Sequence, residues 1–171
     1  MTVALVRKIG RSLPQSGHEG RKGIMKATIR WIEGVSFAAE TGSGHAVVVD
    51  GAPEAGGRNL GPRPMELVLA GAAACTAFDV VWILNKARQP VTDCVVEAEA
   101  DRAAVEPKVF TAIRLTYRVA GRGLDARQVE RAVQLSKEKY CSATIMLGRT
   151  ADVTARVEII EGDRVPAAAP R

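Results

Sequence analysis

RPMELVLAGAAACTAFDVVWILNKARQP, residues 63–90, sets the problem that the rest of the chain must answer. From Leu67 to Leu84 it runs for 18 residues with Asp79 as its one charge, which by length alone would suffice for a membrane span. Inserting Asp79 near the middle would cost about 2.5–3.5 kcal/mol, and the small residues Ala70–Ala74 and Ala77 add little apolar drive to offset it. A helix that is apolar all round and not in a membrane belongs in a protein core. Pro62 and Pro64 suit its entry, Lys86 and Arg88 complement the negative end of its dipole, and Pro90 stops it. Such a helix needs cover on every side, and the patterned part of this chain is small for that. The same helix from a second subunit is the natural cover.

The flanking sequence is strand-rich. Upstream, KATIRWI and VSFAAE flank Glu33-Gly34, and HAVVVD follows TGSG, so three short strands joined by tight turns are expected. Residues 51–63 form a Gly/Pro loop. Downstream, TDCVVEAEA places Cys94, Val96, Ala98 and Ala100 on one face, and KVFTAIRLTYRVAG places Val109, Ile113, Leu115, Tyr117 and Val119 on one face. A second helix begins at LDARQVERAVQLSKEKY, with Asp125 as N-cap, Gln128 as its capping-box partner, and Val129, Ala132, Val133, Ser136 and Tyr140 at helical spacing. Cys141 falls at its end, a short helix through SATIML stops at Gly148, and ADVTARVEII closes as a strand facing inward with Val153, Ala155, Val157 and Ile159. The order is α+β, without the βαβ alternation of a doubly wound sheet.

The net charge lies at the ends. Of the net +5, residues 1–24 carry +4 through Arg7, Lys8, Arg11, Arg21 and Lys22 against Glu19, and Arg164 and Arg171 against Asp163 supply the rest. The body therefore sums to zero, and with 4% aromatic residues it offers neither a basic face nor a stacking platform. No nucleic-acid partner and no membrane partner is expected. Residues 1–24 read as a flexible basic extension, 25–162 as one domain and 163–171 as a loose tail. VALV is too short for a secretory signal, so a reducing cytoplasm is the expected location.

The three cysteines, Cys75, Cys94 and Cys141, are widely spaced, with no CxxC and two distant histidines, so no metal site or cofactor is expected. Positive charge or helix amides are what lower a thiol pKa. Cys141 has Lys137 and Lys139 before it and a helix start after it, whereas Cys75 has Asp79 one turn along, which would raise its pKa. Cys94 reads as inward-facing packing.

GPRPMELVLAGAAACTAFDVVWIL, followed by LSKEKYCSATIML, resembles the OsmC/Ohr superfamily of organic hydroperoxide resistance proteins, and within it the YhfA-like OsmC subgroup. The likeness covers about residues 25–162. It implies antiparallel sheets wrapped around long central helices in an intertwined homodimer, and a thiol peroxidase active in oxidative stress defence. In that chemistry Cys75 would attack the hydroperoxide and become a sulfenic acid, Cys141 would resolve it to a disulfide, and a lipoyl-type dithiol reductant would restore both. Glu66 would be the carboxylate of the catalytic set, with Arg63 and Asp79 at the substrate.

The likeness breaks at two points. The family carries its activating arginine in the loop after the first strand, and here that loop reads WIEGVSF; the family's glutamate position is Met65, with Glu66 one step on. Nine residues separate Glu66 from Cys75, which on a straight helix means opposite faces and about 13 Å. Arg30, Arg58 and Arg63 are the candidate replacements for the missing cation. The alternative is a non-catalytic protein on the same scaffold that binds an apolar small molecule or senses oxidation.

Overall fold

A computed structural model describes residues 24–167, so the expected extension over 1–24 lies almost wholly outside the described residues. The chain gathers into two compact units, one running to Glu66 and one from Leu67.

The first unit is a three-stranded antiparallel sheet in the order β1 (Ala27–Glu33), β2 (Ser36–Thr41), β3 (Ala46–Val49). Gly34 makes the β1–β2 turn tight because it holds φ at 53°, a conformation that strains any residue with a Cβ. After β3 the Gly/Pro loop, with a 3-10 turn at Pro53–Ala55, folds back around one buried carboxylate. Asp50 accepts hydrogen bonds from Ser36 Oγ at 2.8 Å and from the N–H groups of Gly51, Arg58 and Leu60 at 2.8, 3.0 and 3.0 Å. Those donors, Leu60 foremost, hold its pKa down at about 2. Gly61 is more than a turn residue here: a Cβ on it would sit 2.0 Å from the Val48 carbonyl oxygen, so the loop can lie against β3 only without a side chain.

Helix α1 (Pro64–Lys86) leads into the second unit. Its end is a Schellman turn: Arg88 takes φ 55°, its N–H reaches the Asn85 carbonyl, and the Gln89 N–H reaches that of Leu84. The Gln89 side chain then accepts the Asp125 N–H at 2.9 Å. Gln89 thus takes the place expected of Gln128 in a capping box, while Asp125 itself caps as expected by accepting from the Arg127 N–H.

The second sheet runs β4 (Val91–Arg102), β5 (Phe110–Gly121), β6 (Asp152–Glu161). β4 and β5 pair antiparallel, but β6 joins β5 in parallel, which corrects the expectation of antiparallel sheets for this unit. A parallel pair needs a long crossover, and residues 122–151 supply it with α2 (Ala126–Leu135), a π-helical turn (Ser136–Tyr140) and α3 (Ser142–Leu147). Ile113, Leu115, Tyr117 and Val119 of β5 and Val129, Ala132 and Val133 of α2 are buried as their periods require. Val109 is not; it precedes the strand, beyond a register shift near Arg102, and is 41% exposed. Ala155 and Ile159 also stay exposed on β6, an edge strand with β5 on one side only. The tail is tied as far as Val165, whose N–H meets Asp93, and Asp163 pairs with Arg122.

α1 departs most from expectation. It is long and apolar enough to cross a membrane, yet 22% of its most apolar window is buried inside the chain, on the single stripe Ala72, Thr76, Val80 and Leu84. The buried central helix that the sequence predicts is not buried by this one chain. Phe78 is 70% exposed and Trp82 47%. Since burying such a side chain is worth roughly 1.5–3 kcal/mol, this face carries a large unspent stabilisation.

Candidate active site

Cys75 and Asp79 lie one turn apart on α1 and so share a face beside the buried stripe. Cys141 reaches them because of the π-helical turn. The buried face of α2 runs Val129, Ala132, Val133, Ser136, and ordinary helix would carry it on to Tyr140. In the π turn the Cys141 N–H bonds to the Ser136 carbonyl, five residues back, so one extra residue enters the turn and the buried position passes to Cys141. Tyr140, expected in the core, is 45% exposed, while Cys141 is fully buried. The Sγ atoms of Cys75 and Cys141 and a carboxylate oxygen of Asp79 all lie within 4.8 Å of one another, and both thiols are free.

The start of α3 serves both sulfurs. Cys141 is its N-cap, with Sγ accepting the Thr144 N–H at 3.4 Å, and the Ala143 N–H bonds to Cys75. That bond lowers the Cys75 pKa, but burial first, then the Cys141 thiol and the charge of Asp79 raise it, and the net direction is up from 9.0. Asp79 thus acts on Cys75 in the direction its spacing predicts. On β4, burial followed by the charge of Asp93 lifts Cys94 to about 11.

Behind the sulfurs runs a chain of hydroxyls that sequence reasoning missed. Ser136 Oγ donates to Asp79 Oδ2 at 3.0 Å, and Thr76 Oγ1 lies 2.8 Å from Ser136 Oγ and 2.7 Å from the Tyr117 hydroxyl. Each hydroxyl has one hydrogen, and a carboxylate only accepts. The chain therefore has one polarity, Tyr117 to Thr76 to Ser136 to Asp79. Burial pushes the Tyr117 hydroxyl up to about 12, which keeps it a donor. The available signal was three hydroxyl residues at positions the apolar pattern assigns to the core, but nothing in their spacing says that they meet.

Glu66, Arg30 and Arg58 have local partners in the first unit. Glu66 Oε2 accepts the backbone N–H of Arg63 at 2.9 Å, which ties off the start of α1. Arg30 pairs with Glu40 at 3.4 Å, and Arg58 with Glu33. The structure brings together Cys75, Cys141 and Asp79.

Two sheets, a long apolar helix and a cysteine from each of two helices define a class, and comparison with known proteins agrees. A family model described as OsmC-like protein matches residues 56–156, and the chain belongs to that family. Protein YhfA of Escherichia coli K12 is 43% identical over 136 residues, 80% of this chain and 98% of the relative. A hypothetical protein from Aquifex aeolicus VF5 superposes with a TM-score of 0.72 at 27% identity, covering 81% of this chain and 98% of that one. The organic hydroperoxide resistance protein OhrB of Bacillus subtilis superposes with a TM-score of 0.56 at 22% identity, over 79% of this chain and 98% of that one, a likeness of fold alone.

Proposed function

We propose that the chain is a cysteine-based reductase of organic or lipid hydroperoxides that works as a cytoplasmic homodimer. The observation that carries this reading is the approach of Cys75 Sγ to Cys141 Sγ within 4.8 Å, with both thiols free. Cys75 is half-buried and Cys141 fully buried, so the incoming peroxide meets Cys75 first. The Cys75 thiolate attacks one oxygen of the O–O bond, the bond breaks, and the alkoxide leaves with a proton as the alcohol. Cys75 is then a sulfenic acid, and Cys141 displaces its hydroxyl as water to form the disulfide. A dithiol of lipoyl type, oxidised in turn to its own disulfide, restores the two thiols.

The exposed face of α1 supports the dimer, because Val68, Phe78 and Trp82 lie open to water on a helix whose other side is packed. A second copy of α1 would cover them and give the alkyl tail of the peroxide an apolar bed. Phe78→Glu should then convert the dimer to monomer in sedimentation, with the fold retained by circular dichroism.

Turnover of cumene hydroperoxide with dihydrolipoamide tests the chemistry. Wild type should turn over, Cys75→Ser should be inactive, and Cys141→Ser should accumulate a sulfenic acid that dimedone traps. Turnover that survives the loss of Cys75 overturns the reading. The raised pKa of Cys75 favours a second reading, in which the protein holds an apolar small molecule and its thiols idle or sense oxidation. Wild-type silence with reversible uptake of a fluorescent fatty acid would select it.

A further inference from the structure

The sequence offers no metal spacing, but folding gathers three donors of the kind that bind soft divalent cations. We propose that Cys75 Sγ, Cys141 Sγ and the Asp79 carboxylate form a binding site for a thiophilic divalent cation of the zinc class in the reduced protein.

The spacing of the donors suits such an ion. Zinc–sulfur bonds near 2.3 Å and zinc–oxygen bonds near 2.1 Å in a tetrahedron place donor atoms about 3.5–3.8 Å apart. The three atoms are already within 4.8 Å of one another, so side-chain shifts of about 1 Å close the site around an ion. Two of the donors are fixed at i and i+4 on one helix, and the third is pinned as an N-cap at the start of another.

An outer shell is also in place, and this is an independent observation. Metal ligands are held and tuned by the hydrogen bonds they make away from the metal. Ser136 donates to Asp79 Oδ2, and Thr76, which Tyr117 contacts in turn, holds Ser136; all three hydroxyl residues are fully buried. The Thr144 N–H donates to Cys141 Sγ at 3.4 Å, a contact that metal-bound thiolates accept.

The charge fits as well. Two thiolates and a carboxylate gathered within 4.8 Å of one another concentrate negative charge that a divalent ion neutralises. Two sulfurs and one oxygen select zinc, cadmium or cobalt over magnesium and calcium, which prefer all-oxygen shells. On binding, two S–M bonds and one O–M bond form, two S–H bonds break, and the two protons pass to solvent. No electrons move. Water would complete a four-coordinate shell.

The metal site does not depend on the peroxidase reading, and its test contains no peroxide. The reduced full-length protein is titrated with Co²⁺ under argon. The expected result is one cobalt per chain with thiolate-to-cobalt charge-transfer absorption and the visible bands of a tetrahedral ion, displaced by Zn²⁺ but not by Mg²⁺. Cys75→Ser and Cys141→Ser should each weaken binding at least about 100-fold, and Asp79→Asn and Ser136→Ala about 10-fold or more. Cys94→Ser should change nothing. Because a site variant could misfold, the wild type carries a second readout: Zn²⁺ should slow alkylation of Cys75 and Cys141, mapped by mass spectrometry, and leave Cys94 unprotected. Absence of the charge-transfer band from wild type, its persistence in the Cys75→Ser, Cys141→Ser double variant, or protection of Cys94 alone overturns the site.

Discussion

Asp50 and Asp79 are both single carboxylates in apolar sequence, AVVVDGA in one unit and TAFDVVW in the other, and the structure treats them in opposite ways. Asp50 is saturated: one hydroxyl and three backbone N–H groups converge on it, and its pKa falls to about 2. Asp79 accepts the Ser136 hydroxyl and lies within 4.8 Å of two free thiols, where its charge adds to the causes that disfavour ionisation of Cys75. A carboxylate that backbone donors surround shapes a loop. One that is held by a single hydroxyl keeps its remaining field for the thiols beside it.

The sharpest way to break the contrast is to remove Asp50. Asp50→Ala leaves four donors without their acceptor in a loop whose glycines allow no repacking. It should lower the melting temperature more than any single substitution in the hydroxyl chain behind Asp79, with loss of amide protection over residues 51–63. The same group sets an acid limit. Its pKa is about 2 in the fold against 3.8 ordinarily, so its stabilisation is whole above about pH 4 and disappears as pH falls through 2. Asp50→Asn should flatten that part of the stability profile; an unchanged profile would mean that the depressed pKa is not felt by the fold.

Next in size is Thr76→Val, nearly isosteric and fully buried. It leaves the Tyr117 hydroxyl without an acceptor and Ser136 without a donor, a cost of about 1–3 kcal/mol in denaturant unfolding. Tyr117→Phe removes only the outermost donor and lets Thr76 continue to donate to Ser136, so about 1 kcal/mol is expected. If the two substitutions cost the same, the chain does not have the single polarity derived for it.

Much of this was legible. The period-2 pattern of β5, the Asp125 cap, the Gly148 stop and the Cys75–Asp79 pair follow from local rules that tertiary context did not override. Three features were not legible, for three reasons. The exchange of Tyr140 for Cys141 comes from one extra residue in a turn, and no side chain in SKEKY announces a π turn. The parallel seat of β6 depends on which edge of β5 is open, a matter of chain path rather than of the alternation in β6 itself. The hydroxyl chain joins Thr76 to positions 41 and 60 residues away, beyond the reach of any periodicity. The closeness of Cys141 to Cys75 is implied by family resemblance and not by spacing, and the π turn gives that closeness a physical cause.

The smallest effect is also the most discriminating, because Asp79→Asn changes charge while an amide oxygen can still accept from Ser136. Asp79 comes after burial and the Cys141 thiol among the influences that raise the Cys75 pKa. Removing its charge should therefore lower that pKa and raise the thiolate fraction at pH 7. The rate of Cys75 alkylation by iodoacetamide, followed against pH by mass spectrometry, reads this directly: its inflection should move down while that of Cys94 stays in place. An inflection that moves up would show that Asp79 draws the proton from Cys75 instead of opposing its loss, and the carboxylate would then belong to the attacking machinery rather than to its restraint. The same substitution is expected to weaken cobalt binding. Faster alkylation together with poorer metal capture in one variant is a pair of opposite effects that a merely misfolded site would not produce.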